Sequence, residues 1–292
     1  MKIDIIYVLI ALFLVSCGDP VEEIIWKTNN SVVALNVEGS VTNDSIHHRL
    51  LLKTTQDYFY NQPLPAVSNA TVYVQSGSKI YTYSESADTA GLYLSDEAFS
   101  GIVGNDYTLN IDLVEPLNGE THFTATSTLR KNFEIQYSTA AELIYPGLDE
   151  NDSTLIVIAF IANDPSPGVD YFFSRLYVSN SRVSDSLVTD SLNNLILFND
   201  THQEDADENV YYFAFMDDIN VGDTITMELS SITKEYYYFL DGLQNIMYPV
   251  DPMGFSGSPA RVDGNVNDGS AYGYFYCAEV IREKVVVQDD LE

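Results

Sequence analysis

The chain has 292 residues, of which 13 are Lys or Arg and 43 are Asp or Glu, giving a formal net charge of −30. A surface this negative repels phosphate backbones and anionic headgroups, which argues against nucleic-acid binding and favours cations or basic partners. An apolar fraction of 46%, with 21 Tyr and 14 Phe, is enough for real cores and argues against disorder.

Lys2 opens the chain, and Ile5–Val15 follows as an unbroken apolar run of 11 residues. Such a run is too short to cross a bilayer as an ordinary helix and fits the core of a signal peptide. It ends in Leu14-Val15-Ser16-Cys17, which resembles the lipobox recognised by lipoprotein signal peptidase. Residues 1–16 are therefore read as a lipoprotein signal peptide, Cys17 as the lipidated first residue, and residues 17–30 as a tether. Acyl chains contribute about 0.8 kcal/mol per buried CH₂, so several together make a lasting anchor. Asp19, Glu22 and Glu23 just behind Cys17 resemble an export signal to the outer face of the outer membrane. The expected location is the outer membrane, lipid-anchored, with the body exposed at the cell surface.

From Val32 the pattern changes to strand alternation. Val33, Leu35, Val37 and Val41 fall on one face, and Asn36, Glu38 and Ser40 on the other. Further strands are predicted at His48–Thr55, Thr71–Gln75, Lys79–Ser84, Gly91–Ser95, Tyr107–Val114 and His122–Leu129. Ser76-Gly77-Ser78 and Leu117-Asn118-Gly119-Glu120 read as hairpin turns. Seven short strands at regular spacing predict an immunoglobulin-like or transthyretin-like β-sandwich over residues 31–130.

A second β domain, a sandwich or barrel-like unit, is predicted over residues 131–292. Ser153–Ala162 is a continuous apolar run suited to a strand buried on both faces. Tyr171–Ser179, Asn194–Phe198, Val210–Met216, Thr224–Ser230 and Tyr272–Val287 follow. One helix is predicted at Lys234–Tyr248, where Tyr236, Leu240, Leu243 and Met247 share a face that Phe239 and Ile246 widen. Residues 181–209 read as a long polar excursion. The chain has only two cysteines, and with Cys17 acylated, Cys277 in Tyr274-Phe275-Tyr276-Cys277-Ala278 reads as a buried thiol without a disulfide.

No residue set specifies a reaction. The four histidines, His47, His48, His122 and His202, form no zinc-enzyme spacing, and adjacent His47 and His48 leave a strand on opposite faces. Gly254-Phe255-Ser256-Gly257-Ser258 lacks the final glycine of a nucleophile elbow. Residues 263–269 carry the acidic and amide residues of a calcium loop. Its sixth and twelfth positions are Asp268 and Tyr274 rather than Gly and Glu, so a structural turn is expected. The acidic tract at residues 204–208 reads as a solvated loop. No catalytic residues, metal or cofactor are therefore expected, and the chain is not read as an enzyme.

Asp-Ser or Asp-Thr followed by a small or aliphatic residue occurs six times. It resembles the O-glycosylation motif of exported Bacteroidota proteins and makes Ser45, Thr89, Ser153, Ser186, Ser191 and Thr224 candidate acceptors. The same dipeptides are also good turn formers.

Several segments together resemble a family of Bacteroidota lipoproteins, domain of unknown function 4249. They are Val37-Glu38-Gly39, the stretch from Pro65 to Val72, Gly91-Leu92-Tyr93, the stretch from Gly101 to Leu109, and Thr124-Ala125-Thr126-Ser127-Thr128. Pro259, Asp263-Gly264-Asn265-Val266 and Gly273-Tyr274-Phe275 resemble the family's terminal signature and complete the set. The resemblance implies an outer-membrane lipoprotein, often encoded near TonB-dependent transporters, and transfers no catalytic residues. The expected role is an accessory or binding component beside such a transporter. The alternative is a structural or adhesive surface lipoprotein. Residues 181–209 and the Tyr236–Tyr248 region are the expected contact surfaces, since loops and tyrosines carry recognition.

Overall fold

The computed structural model describes residues 33–56, 62–145, 153–163, 168–178, 195–201, 208–215, 220–247 and 261–289. The first seven strands are β1 (Leu35–Thr42), β2 (Arg49–Thr54), β3 (Thr71–Ser76), β4 (Lys79–Glu85), β5 (Leu92–Ser95), β6 (Asp106–Leu117) and β7 (Glu120–Thr128). Then come β8 (Glu134–Tyr145), β9 (Ser153–Asn163), β10 (Tyr171–Val178), β11 (Leu195–Asn199), β12 (Glu208–Phe215) and β13 (Thr224–Ile232). Helix α1 (Lys234–Met247), a short 3-10 turn (Val266–Gly269) and β14 (Tyr272–Gln288) complete the order. The all-β class with a helix is what the sequence predicts.

The strands lie on one hydrogen-bonded path, β11-β10-β13-β14-β1-β2-β5-β4-β3-β6-β7, with β8, β9 and β12 branching from β14. Along β14 to β7, alternate residues point into one core. Val37 and Val41, Leu50 and Leu52, Val72 and Val74, Tyr81 and Tyr83, Leu109 and Ile111, and Phe123 and Ala125 all meet there, with Phe275 and Cys277 from β14. A sheet whose every strand feeds one core must wrap around it. Gly39 leaves room at this inward position of β1 for the tip of Leu50, which a Cβ would push aside.

A second core gathers Ile158 and Phe160 of β9, Phe172 of β10, Met227 and Leu229 of β13, and Val285 and Val287 of β14 around Phe133. Phe133 contacts the rings of Phe160, Phe172 and Tyr211 at 5.4, 4.7 and 5.6 Å between centroids. β8 meets the end of β14 in parallel, at Val287 opposite Ala140. A third cluster lies under α1, where Tyr236, Phe239 and Leu240 pack on Phe173, Ile232, Tyr274, Ala278 and Val280. Thr233 caps α1, its hydroxyl accepting from the Tyr236 N–H at 3.3 Å.

β14 therefore serves all three clusters, and it does so by changing partners. It pairs in parallel with β1 from Tyr272 to Ala278, antiparallel with β13 from Glu279 to Val286, and in parallel with β8 at its end. Residues 32–292 form one compact unit.

Two sequence expectations change. β8 has no predicted counterpart, because Ser-Thr-Ala-Ala-Glu at its centre breaks the alternation and alanine is a poor strand former. On α1 the packed stripe stops early: Leu243 is only partly covered and Met247 is 50% exposed. Both predicted hairpin turns are present, with Gly77 at φ 57°, Asn118 at 52° and Gly119 at 86°.

Candidate functional site

The residues of the terminal signature do structural work at the seam between β7 and β14. The Asn265 amide accepts from the Phe275 N–H at 3.0 Å and donates to the Phe275 carbonyl at 2.7 Å, as a neighbouring strand would. It also reaches the Thr126 carbonyl at 3.3 Å. Asn267 repeats the arrangement on β7, accepting from the Thr124 N–H at 2.7 Å and donating to the His122 carbonyl at 3.0 Å. Ser127 Oγ accepts from the Cys277 N–H across the same gap at 3.0 Å. These side chains satisfy backbone groups that no strand pairs. Gly264 and Gly273 are dictated by crowding, since a Cβ on either would overlap a carbonyl, that of Gly273 or of Val37. The stretch is a structural turn, as the sequence reading has it.

Two further asparagines serve β14. Asn43 exchanges hydrogen bonds with both backbone groups of Val280, at 2.7 and 3.1 Å. Buried Asn132 donates to the carbonyls of Leu229 and Glu279, at 2.9 and 2.8 Å.

The face of β10, β13 and β14 that also meets α1 carries a partly buried charged row. Register places Arg175 beside Glu228 and Glu228 beside Arg282. Arg282 donates to Glu228 at 2.9 Å and grips Asp44 with both terminal nitrogens, at 2.9 and 2.7 Å. Arg175 lies 3.5 Å from Glu228 and stacks on the Phe173 ring, 4.7 Å from its centroid. The hydrogen bonds from Arg282 hold the Asp44 carboxyl below its ordinary pKa against a partial burial that would raise it. The row neutralises itself. Nothing in sequence spacing joins Asp44 to Arg282, so sequence reasoning missed it.

A second cluster combines α1 with the start of β10. The rings of Tyr171 and Tyr237 lie 5.1 Å apart, Tyr171 and Tyr238 6.1 Å, and Tyr237 and Tyr238 5.5 Å at an interplanar angle of 84°. Asn199 Nδ2 donates to the Tyr237 hydroxyl at 3.3 Å. Behind Tyr171, the buried Asp200 carboxylate accepts from the Asp170 N–H at 2.8 Å, and Arg130 reaches Asp170 at 3.1 Å. Desolvation raises the Tyr171 hydroxyl pKa, helped by its neighbour Tyr238.

The predicted contact surfaces are thereby narrowed. Tyr236 is buried and stacks on Tyr276 at 4.2 Å, so it is core; Tyr237 is half-buried against the same cluster, and Tyr238 turns outward. Tyr248 and most of residues 181–209 lie outside the described residues. The sequence reading did not single out Tyr171, which reaches this cluster only through the pairing of β10.

Among the candidate acceptors, Ser45 and Thr89 are exposed in loops and Thr224 is half-buried at the start of β13. The carboxylate preceding Ser45 is taken up by Arg282. Ser153 opens β9, and Cys17, Ser186 and Ser191 lie outside the described residues. His47 is exposed and His48 buried, with His48 Nε2 on the Phe99 carbonyl at 2.9 Å. His122 pairs with Asp112 at 2.7 Å, and His202 and residues 254–258 lie outside the described residues. Cys277 is fully buried, and burial pushes its thiol pKa up, which disfavours the reactive thiolate. Among the described residues no group of three or more His, Cys, Asp or Glu could hold a metal ion.

What these features define is an all-β body whose signature residues fasten one long strand and whose helix-side face carries tyrosines and a neutralised charge row. A family model described as Domain of unknown function (DUF4249) matches residues 21–284, and the chain belongs to that family. No curated protein matches it. Among solved structures, it is similar to a candidate carbohydrate-binding protein from Bacteroides uniformis at 10% identity. The match covers 68% of this chain and 89% of that one, with a TM-score of 0.21, a likeness too slight to bear on fold or function.

Proposed function

We propose that the protein is a lipoprotein anchored in the outer membrane through acylated Cys17, acting as an accessory or binding component beside an integral partner, a TonB-dependent transporter. The observation that carries this reading is Leu14-Val15-Ser16-Cys17 at the end of an 11-residue apolar run. Among the described residues no helix is long and apolar enough to cross a membrane. Confinement to the membrane plane would make even a weak interface with an integral partner effectively intramolecular. A net charge of −30 favours a partner with basic loops, and such an association weakens as salt rises. The six Asp-Ser/Thr sites are candidate glycan acceptors on the exposed body.

The experiment is affinity purification from gently solubilised outer membranes at low and high salt. A β-barrel transporter recovered at low salt and depleted at high salt is the expected result. Recovery of none at either salt, with the lipoprotein intact, would leave the adhesive or structural reading in front.

A further inference from the structure

Tyr238 is 54% exposed on α1, although α1 already has Tyr236, Phe239 and Leu240 for its core. Tyr237 beside it meets Tyr171 from a different element, and three rings in mutual contact result. Their planes differ by 55° to 84°, so their faces open in different directions. Asn199 fixes the Tyr237 hydroxyl. The cluster is thus organised without a ligand, which lowers the entropy cost of using it.

Its surroundings select the sign of the occupant. Asp170, paired with Arg130, and Asp200 lie behind Tyr171, and the helix of Tyr237 and Tyr238 sets Glu235 and Asp241 against its one Lys234, so acidic groups outnumber basic ones. A phosphate or carboxylate is repelled there. A purely apolar occupant would strip water from the hydroxyl rim without replacing its hydrogen bonds. A cation is attracted both by the ring faces and by the carboxylates. The molecule already uses this chemistry. Arg261 stands 4.4 Å over Tyr272 and Lys79 4.5 Å over Tyr81, and exposed Lys234, 6.0 Å over Tyr238, is a resident cation that an incoming side chain would displace.

We propose that Tyr171, Tyr237 and Tyr238 form a seat for an arginine or lysine side chain presented by a basic segment of a protein partner. This rests on the accessory reading for the identity of the partner, and on the ring geometry and charge for its chemistry. Arginine suits the seat better than lysine, because its planar, weakly hydrated guanidinium stacks on a ring.

The test uses the full-length lipidated protein in detergent micelles and a fluorescent six-residue peptide with two arginines, titrated by anisotropy at low salt. Its counterpart carries citrulline, which keeps the shape of arginine without the charge. Tyr171→Ala and Tyr238→Ala should each weaken the arginine peptide by about three-fold or more, consistent with a cation over an exposed ring. Tyr238→Phe should bind nearly as wild type, and the citrulline peptide should bind wild type as weakly as the arginine peptide binds the Ala variants. Tyr238 stands clear of the core, so that variant keeps the test valid even if Tyr171→Ala misfolds. Equal binding to wild type and Tyr238→Ala would mean general attraction to an acidic body and would overturn the seat. Equal binding of arginine and citrulline peptides would overturn it as well. The membrane purification, repeated with Tyr238→Ala, separates the two ideas. A transporter recovered equally with both forms overturns the seat and leaves the accessory reading standing. Tyrosine-dependent peptide binding with no transporter recovered by wild type upholds the seat and removes the accessory reading.

Discussion

The two cores of this sheet bring their outermost strands together by different means. Around the first, β7 and β14 are joined by polar side chains: the amides of Asn265 and Asn267 and the hydroxyl of Ser127 supply directional hydrogen bonds to the backbone of both strands. Around the second, β11 and β12 are bridged by rings, Phe198 to Tyr211 at 5.1 Å, within a stack centred on Phe133. An amide bridge fixes register and leaves unsatisfied backbone when it is lost, whereas a ring bridge fills volume and leaves a cavity. β14 runs through both arrangements, so damage to either is felt along one strand.

The largest effect is expected from Gly273→Ala. Gly273 holds φ +81°, and a Cβ there overlaps the Val37 carbonyl oxygen, so β14 cannot keep its pairing with β1. Strain of this kind, together with lost pairing, should cost more than about 4 kcal/mol, and little folded protein should be recovered. A soluble variant with unchanged circular dichroism would show that the junction tolerates rearrangement. Phe133→Ala comes next, at about 3–5 kcal/mol for a buried aromatic, read as a fall in the denaturant midpoint. A loss below about 1 kcal/mol would mean that the second core repacks freely and the contrast between the two closures fails.

Asn265→Ala should cost about 1–3 kcal/mol through the stranded Phe275 backbone. Hydrogen exchange sharpens the comparison here. The Phe275 amide should lose protection while amides of β9 and β12 keep theirs. Equal loss in both regions would argue that the seam is not a local device.

The smallest effect concerns acid. Asp44 titrates below its ordinary value because Arg282 binds the ionised form. Its stabilisation is therefore fully present above the ordinary carboxylate pKa of about 4 and is lost as pH falls through the lower folded value. Because Arg282 is 44% exposed, the contribution should be under about 1 kcal/mol. Asp44→Asn should lower stability slightly at pH 7 and flatten the acid limb of a stability–pH curve. An unchanged acid limb would show that the pair contributes nothing.

Much of the strand pattern is legible in the sequence because alternation is a local signal. Leu35, Val37 and Val41 declare the inner face of β1, and Asn118-Gly119 declares the turn after β6. β8 escapes notice because its Ala140 and Ala141 are buried without being strongly hydrophobic. The role of β14 is hidden for another reason. A run from Tyr272 to Val287 reads as one strand, but nothing local says that its partner is β1, more than two hundred residues earlier. The sites follow the same division. The helix stripe predicts that Tyr236 is core, while Tyr171 joins Tyr237 and Tyr238 only through tertiary packing. The asparagines in the terminal signature are visible, but their service to β7 and β14 depends on where those strands lie.

The anchor is the premise on which partner and location depend, and one measurement addresses it directly. Intact mass spectrometry of membrane-extracted protein should give the polypeptide from Cys17 onward plus acyl chains, and Cys17→Ala should leave the outer-membrane fraction. Residues before Cys17 in the mature protein, or a Cys17→Ala protein that still fractionates with the outer membrane unaided, would contradict the account.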